Sequence, residues 1–182
     1  MPWKNGAGET IEIAVAPPGA AVSDFDWRVS MAKVETDGPF SAFAGIDRTL
    51  TILDGQGLDL MVEGCEAVRI TDRPHSFPGD LPTRASLIDG PVADLNVMTR
   101  RGRFTHRVTP IVLTGAREFV VMSPIAMLYC HRGQIRVEEE FAVPVDVEEG
   151  DTLLIEAMPN GLSLIAIEPA RFYLIEVSPI RR

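Results

Sequence analysis

Cysteine, histidine and lysine are scarce in this chain. Its 182 residues hold two cysteines, Cys65 and Cys130, in no CxxC spacing. That excludes a cysteine-ligated zinc site and a disulfide framework, and points to a reducing, cytoplasmic setting. Three histidines, His75, His106 and His131, are scattered with no His-x-His pair. Paired imidazoles for a metal centre inside a β-barrel are therefore missing, and neither a metal nor another cofactor is expected. The same poverty removes Ser-His-Asp and Cys-His catalysis: no Gly-x-Ser-x-Gly elbow is present, and Cys130 and His131 as strand neighbours point to opposite faces. Lys4 and Lys33 are the only lysines, and 17 basic against 26 acidic residues leave a net charge of −9. Such a chain is ill suited to neutralising phosphates, so no nucleic-acid partner is expected. No apolar run approaches the roughly 20 residues of a membrane helix. The first residues, Met1-Pro2-Trp3-Lys4-Asn5-Gly6, lack the apolar core of a signal peptide. Apart from a turn near residues 41–45, helical periodicity is lacking as well.

What the chain does have is period two. Alternating segments occur at 10–15, 25–31, 48–53, 57–62, 67–71, 84–88, 108–113, 118–122, 126–131, 134–138, 143–147, 152–155, 162–167 and 172–177. Most of the fifteen glycines and fourteen prolines fall between them, which predicts an all-β fold. An internal repeat sharpens this. Leu50 to Asp54, Gly55-Gln56, an alternating strand and then Gly79-Asp80 parallels Met127 to Arg132, Gly133-Gln134, an alternating strand and then Gly150-Asp151. The second copy resembles a cupin half-motif. The expected fold is therefore a bicupin, two cupin-like jelly-roll barrels in one chain. They would occupy 1–105 and 106–182, with the join near 103–110 and strands free to swap between them.

Four segments carry candidate chemistry. Trp3, Lys4 and Asn5 precede the first strand, either as a plain turn or projecting over a barrel mouth. In the 25–32 strand, Phe25, Trp27, Val29 and Met31 share one face, while Asp26, Arg28, Ser30 and Ala32 share the other. A small-residue face with one arginine suits a ligand cavity, because a guanidinium clamps a carboxylate through two parallel hydrogen bonds; a solvated arginine fits the pattern as well. Asp47 and Arg48 adjoin the first repeat strand, placed to share a ligand or to form a surface ion pair. Asp94, Asn96 and Met98 lie on one face of a strand, and polar groups facing inward need partners. Arg100, Arg101, Arg103 and Arg107 form a local basic cluster, placed to steer an anion or to serve as a solvated linker.

Together these segments resemble the HutD/Ves family. The matching stretches are residues 1–10 (MPWKNGAGET), 25–32 (FDWRVSMA), 37–40 (DGPF), 45–48 (GIDR), 77–80 (FPGD) and 94–101 (DLNVMTRR). The resemblance implies a bicupin without a conventional metal centre and a regulatory role in bacterial histidine utilisation. Its partner would be a small carboxylate metabolite such as urocanate or formylglutamate, with no membrane involved and a homodimer left open. Members usually carry a short stretch before the PWKNG motif, so the true start is expected upstream of Met1. Carried onto this sequence, the pattern assigns Lys4, Asn5, Glu12, Arg28, Asp47, Arg48, Asn96 and Met98 to the lining of one pocket in the first barrel, with Trp3 or Phe40 stacking on a planar ligand. Binding rather than catalysis is the first reading. A metal-free isomerase or hydrolase of a small acid is the alternative, with Glu12 or Asp47 as base.

Overall fold

The computed structural model describes residues 8–139, 142–156 and 161–180. Among them every regular element is a strand. In chain order these are β1 (Gly8–Ala16), β2 (Trp27–Val34), β3 (Gly38–Phe40), β4 (Ile46–Asp54), β5 (Leu58–Val62), β6 (Val68–Ile70), β7 (His75–Pro78) and β8 (Thr83–Leu87), followed by β9 (Val92–Arg100), β10 (Phe104–Phe119), β11 (Ile125–Arg132), β12 (Ile135–Glu138), β13 (Val145–Val147), β14 (Thr152–Glu156) and β15 (Leu162–Pro179). The turn expected near 41–45 is a loop closed by the Ile46 amide donating to the Phe43 carbonyl at 3.2 Å. No described helix is long and apolar enough to cross a membrane.

The chain divides into two compact units; His106–Pro179 form the second, and the residues before it together with Ile180 belong to the first. In the first unit a five-stranded sheet, β1-β2-β9-β4-β7, accompanies a four-stranded sheet, β3-β8-β5-β6. Their facing sides meet in one apolar cluster. Val34, Leu50, Ile52, Phe77 and Val92 come from the first sheet, and Phe40, Leu58, Leu60, Val62, Ile70 and Ala85 from the second. Alternation explains the selection, since every second residue of each strand points between the sheets. Each fully buried Leu, Ile or Val there contributes about 1.5–3 kcal/mol.

In the second unit the order is β13-β12-β15-β11-β14, with β10 also pairing β15. Its core gathers Ile111, Leu113, Leu128, Cys130, Ile135, Leu164, Phe172 and Leu174. The sequence separates 108–113 from 118–122 and 162–167 from 172–177, yet each pair reaches into one long strand. Gly115, at φ +79°, lets β10 pass through a conformation that other residues resist. On β15, residues 163–165 pair with β12 and residues 171–177 with β11. Pro169 falls between the two ladders.

This long strand uncovers a repeated pairing plan. In the first unit β5 pairs with β8 and β4 with β9; in the second, the two halves of β15 take both parts. The hairpins at Gly55 and Gly133 correspond, both with positive φ. The two Gly-Asp pairs do not: Gly79-Asp80 follows β7, whereas Gly150-Asp151 precedes β14.

Candidate functional site

The interior face of the five-stranded sheet is polar at its centre. Antiparallel register lines up Arg28 of β2 with Met98 of β9, and Met98 with Arg48 of β4. The next row holds Glu12, Ser30, Asn96 and Leu50, and the one beyond it Thr10, Ala32, Asp94 and Ile52. Directly opposed residues in a ladder share a face. Two guanidiniums therefore stand two strands apart, about 10 Å between their Cα atoms, on the face that also supplies the apolar cluster.

Both arginines are buried, Arg28 at 4% and Arg48 at 8% exposure. Arg28 Nε donates to Glu12 Oε2 at 2.8 Å, and its Nη1 is 3.5 Å from Ser30 Oγ. The β1 ladder shifts register between Glu12 and Ala14; such a bulge twists an edge strand and re-aims its side chains. Arg48 donates from Nε to Asn96 Oδ1 at 2.8 Å and also from Nη2. Its guanidinium lies over the rings of Phe40 and Phe77, 4.8 and 5.5 Å from their centroids. Cation–π stacking and the Asn96 fork hold it in one orientation. Asn96 in turn donates from Nδ2 to Asp94 Oδ1. The result is a buried relay, Arg48 to Asn96 to Asp94.

The electrostatics of this island are strained. Burial pushes Arg48 down to about 10, with Asp94 opposing that shift and the charge of Arg28 adding to it; the guanidinium stays cationic at neutral pH. Asp94 is fully buried, and desolvation raises its carboxyl to about 7 against the pull of Arg48 and the Asn96 hydrogen bond. Among the described residues only Thr51 Oγ1 and Asp94 Oδ2 are buried side-chain polar atoms without a hydrogen-bond partner. Glu12 balances Arg28, whereas the carboxyl nearest Arg48 is Asp94, which resists ionisation, so the Arg48 end of the island is short of negative charge.

Of the residues singled out in the sequence, the fold brings Glu12, Arg28, Phe40, Arg48, Asn96 and Met98 onto or against this island, with Met98 buried beside Phe25 and Ile46. Trp3, Lys4 and Asn5 lie outside the described residues. Asp47 is not in the group. Period two turns it away from Arg48, and it accepts from Arg101 Nε at 2.7 Å on the surface, where Arg101 also holds Asp80. The basic cluster is dispersed in similar fashion: Arg100 binds the carbonyls of Ser23, Phe25 and Ala44, and Arg103 pairs with Asp26. Asp94 belongs to the group although the sequence reading placed it only beside Asn96; its alternation with Asn96 and Met98 was the available signal.

The second unit offers a contrast. His131 is a core residue, with the rings of Tyr129 and Tyr173 6.3 and 6.2 Å away. A groove of about 500 Å³ is lined by Gln134, Arg136, Glu138, Asp146, Ile165 and Glu168. Its arginine is already claimed by a two-pronged bond to Asp146 at 2.7 and 2.9 Å. Among the described residues no cluster of three or more His, Cys, Asp or Glu side chains has the arrangement of a metal site.

Known proteins bear on both the fold and the site. The HutD family model matches residues 1–172. Protein Ves of Citrobacter koseri is 44% identical over 110 residues, which is 58% of this chain and 56% of that protein. An uncharacterised 21.2 kDa protein of the hutC 3′ region in Pseudomonas putida is 36% identical over 109 residues. The matches to these curated relatives thus span little more than half the relatives' length: 56% of the Ves protein and 57% of the other. A protein of unknown function from Pseudomonas aeruginosa PAO1 superposes with a TM-score of 0.91 at 30% identity, covering 98% of this chain and 93% of that one. HutD from Pseudomonas fluorescens SBW25, solved in a formate condition, gives 0.81 at 28% identity over 100% and 94%. A cupin 2 barrel protein from Leptotrichia buccalis, at 12% identity and a TM-score of 0.59, shares the fold.

Proposed function

The chain belongs to the HutD family, and we propose that it is a cytoplasmic binding protein that takes a small carboxylate between Arg28 and Arg48 and so regulates histidine utilisation. The family is linked to that process through its HutD member and the relative of the hutC region. The observation that carries the reading is the buried pair of guanidiniums on one sheet face, of which Arg28 is balanced by Glu12 while Arg48 faces only Asp94, a carboxyl that burial holds back from ionising. A ligand carboxylate would supply that charge, with Arg48 held in place by Phe40, Phe77 and Asn96. Urocanate and formylglutamate suit the site because each brings a carboxylate together with a second polar group. The repeated strand pairing supports reading the chain as a bicupin whose first half carries the site; among the described residues of the second half no arginine is buried. The enzymatic alternative loses Asp47 as its base, because Arg101 engages that carboxylate.

The test is thermal unfolding with each acid added. A ligand at 100 times its Kd stabilises by about 2.7 kcal/mol, which raises the midpoint of a chain this size by roughly 5–10 °C. Urocanate or N-formyl-L-glutamate is expected to give such a shift. No shift with either at millimolar concentration removes the assignment.

A further inference from the structure

Asp94 sits at the buried end of the Arg48–Asn96 relay. Its Oδ1 accepts from Asn96 Nδ2, while Oδ2 is buried and unpartnered. Burial disfavours an ionised oxygen in that position, with the Ala32 backbone, Asn96 and Arg48 opposing it. The charged and titratable groups around it are few. β1 supplies Glu12, β2 Arg28, β4 Arg48 and β7 His75, while the buried residues facing from the four-stranded sheet, Phe40, Leu58, Leu60, Val62, Ile70, Thr83 and Ala85, carry no charge. With Asp94 ionised, two cations face two anions; with Asp94 protonated, two cations face Glu12 alone.

We propose that Asp94 is the exchangeable counter-charge of the anion site, ionised when the site is empty above neutral pH and protonated when a carboxylate lies between Arg28 and Arg48. This rests on the carboxylate-binding reading. The incoming anion takes over the balance of the guanidiniums, and the now redundant charge on Asp94 is removed by one proton from solvent, which lands on Oδ2. No other bond is made or broken. Asp94 acts through Asn96 and Arg48, so it is a positioning residue and not a ligand contact. The raised carboxyl, at about 7, agrees with this. One proton taken up per anion bound weakens affinity about tenfold for each pH step above that value.

The experiment measures formate and N-formyl-L-glutamate binding to wild type and Asp94→Asn at about pH 6 to 9 and constant ionic strength, alongside the urea stability of both unliganded proteins from about pH 4 to 9. Asparagine keeps the shape and the Asn96 contact but never ionises. Wild type is expected to bind about 100-fold more weakly at pH 9 than at pH 6, whereas Asp94→Asn stays within roughly threefold. Unliganded wild type loses stability relative to Asp94→Asn as pH rises from about 4 through 7, because the unfolded carboxyl ionises at about 4 while the buried one holds its proton up to about 7. Binding by wild type with no pH dependence, or with the same dependence in Asp94→Asn, overturns the proton exchange and leaves the carboxylate reading intact. Equal stability profiles for the two unliganded proteins also overturn it. Failure of wild type to bind either acid even at pH 6 overturns both.

Discussion

Replacing Arg48 with methionine is expected to weaken carboxylate binding by about 30-fold or more while leaving the protein folded. Methionine matches the unbranched stem and keeps the packing against Phe40 and Phe77, whose rings now flank the guanidinium. What is lost is the charge and the fork. Truncating one partner of a buried charged contact costs about 2–5 kcal/mol of binding, and each 1.4 kcal/mol is tenfold. The stability effect is smaller and of mixed sign. Asn96 Oδ1 loses its donor, an orphaned buried acceptor costing about 1–3 kcal/mol, while removal of a desolvated cation gives some of that back. Arg48→Lys separates the contributions, because it keeps a positive charge but cannot reproduce the two-armed contact to Asn96. It should bind with intermediate affinity. Titration calorimetry with N-formyl-L-glutamate and urea unfolding of the three proteins check this. Wild-type affinity in Arg48→Met removes Arg48 from the site.

Gly57→Ala should be the most damaging of the conservative changes. Gly57 adopts φ +105°, and a Cβ there would stand 2.3 Å from the backbone oxygen of Ile70. The obstacle is main chain, which cannot swing aside as a side chain would. The strained dihedral costs about 1–3 kcal/mol and the overlap a similar amount, which together lower the unfolding midpoint by roughly 5–20 °C. The damage also reaches the site, because Gly57 fixes where β5 begins and therefore where Leu58 and Leu60 press on the polar island's apolar surroundings. Gly64→Ala is the control. Its φ is +79° but no atom lies within 4 Å of the added carbon, so it pays for the dihedral alone, about 1 kcal/mol. Equal midpoints for the two variants would refute the close-approach argument.

Much of the site was legible in alternation. Arg28 on a small-residue face and Asn96 beside Asp94 and Met98 follow from period two and need no tertiary knowledge. The same rule, applied across Asp47 and Arg48, shows why only one of them reaches the interior: neighbours on a strand cannot share a face. What alternation could not supply was register. That Met98 stands between Arg28 and Arg48 depends on pairings between residues 50 and 70 apart in the chain, and nothing local encodes them. The charge state of Asp94 was out of reach for a related reason, since it depends on burial at 0% exposure and on Arg48 arriving from another strand. Glycine and proline misled at 115 and 169, where they mark bends inside long strands and not the ends of short ones. The Gly-Asp pairs suggested a tidier repeat than exists, because the same dipeptide closes one strand and opens another.

A crystal structure of the protein grown with N-formyl-L-glutamate tests the central claim most directly. The expected result is a ligand carboxylate within hydrogen-bond distance of both Arg28 and Arg48, with Asn96 still joining Arg48 to Asp94. A ligand bound instead in the Arg136 groove of the second unit, or bound in the first unit without touching either arginine, would contradict it.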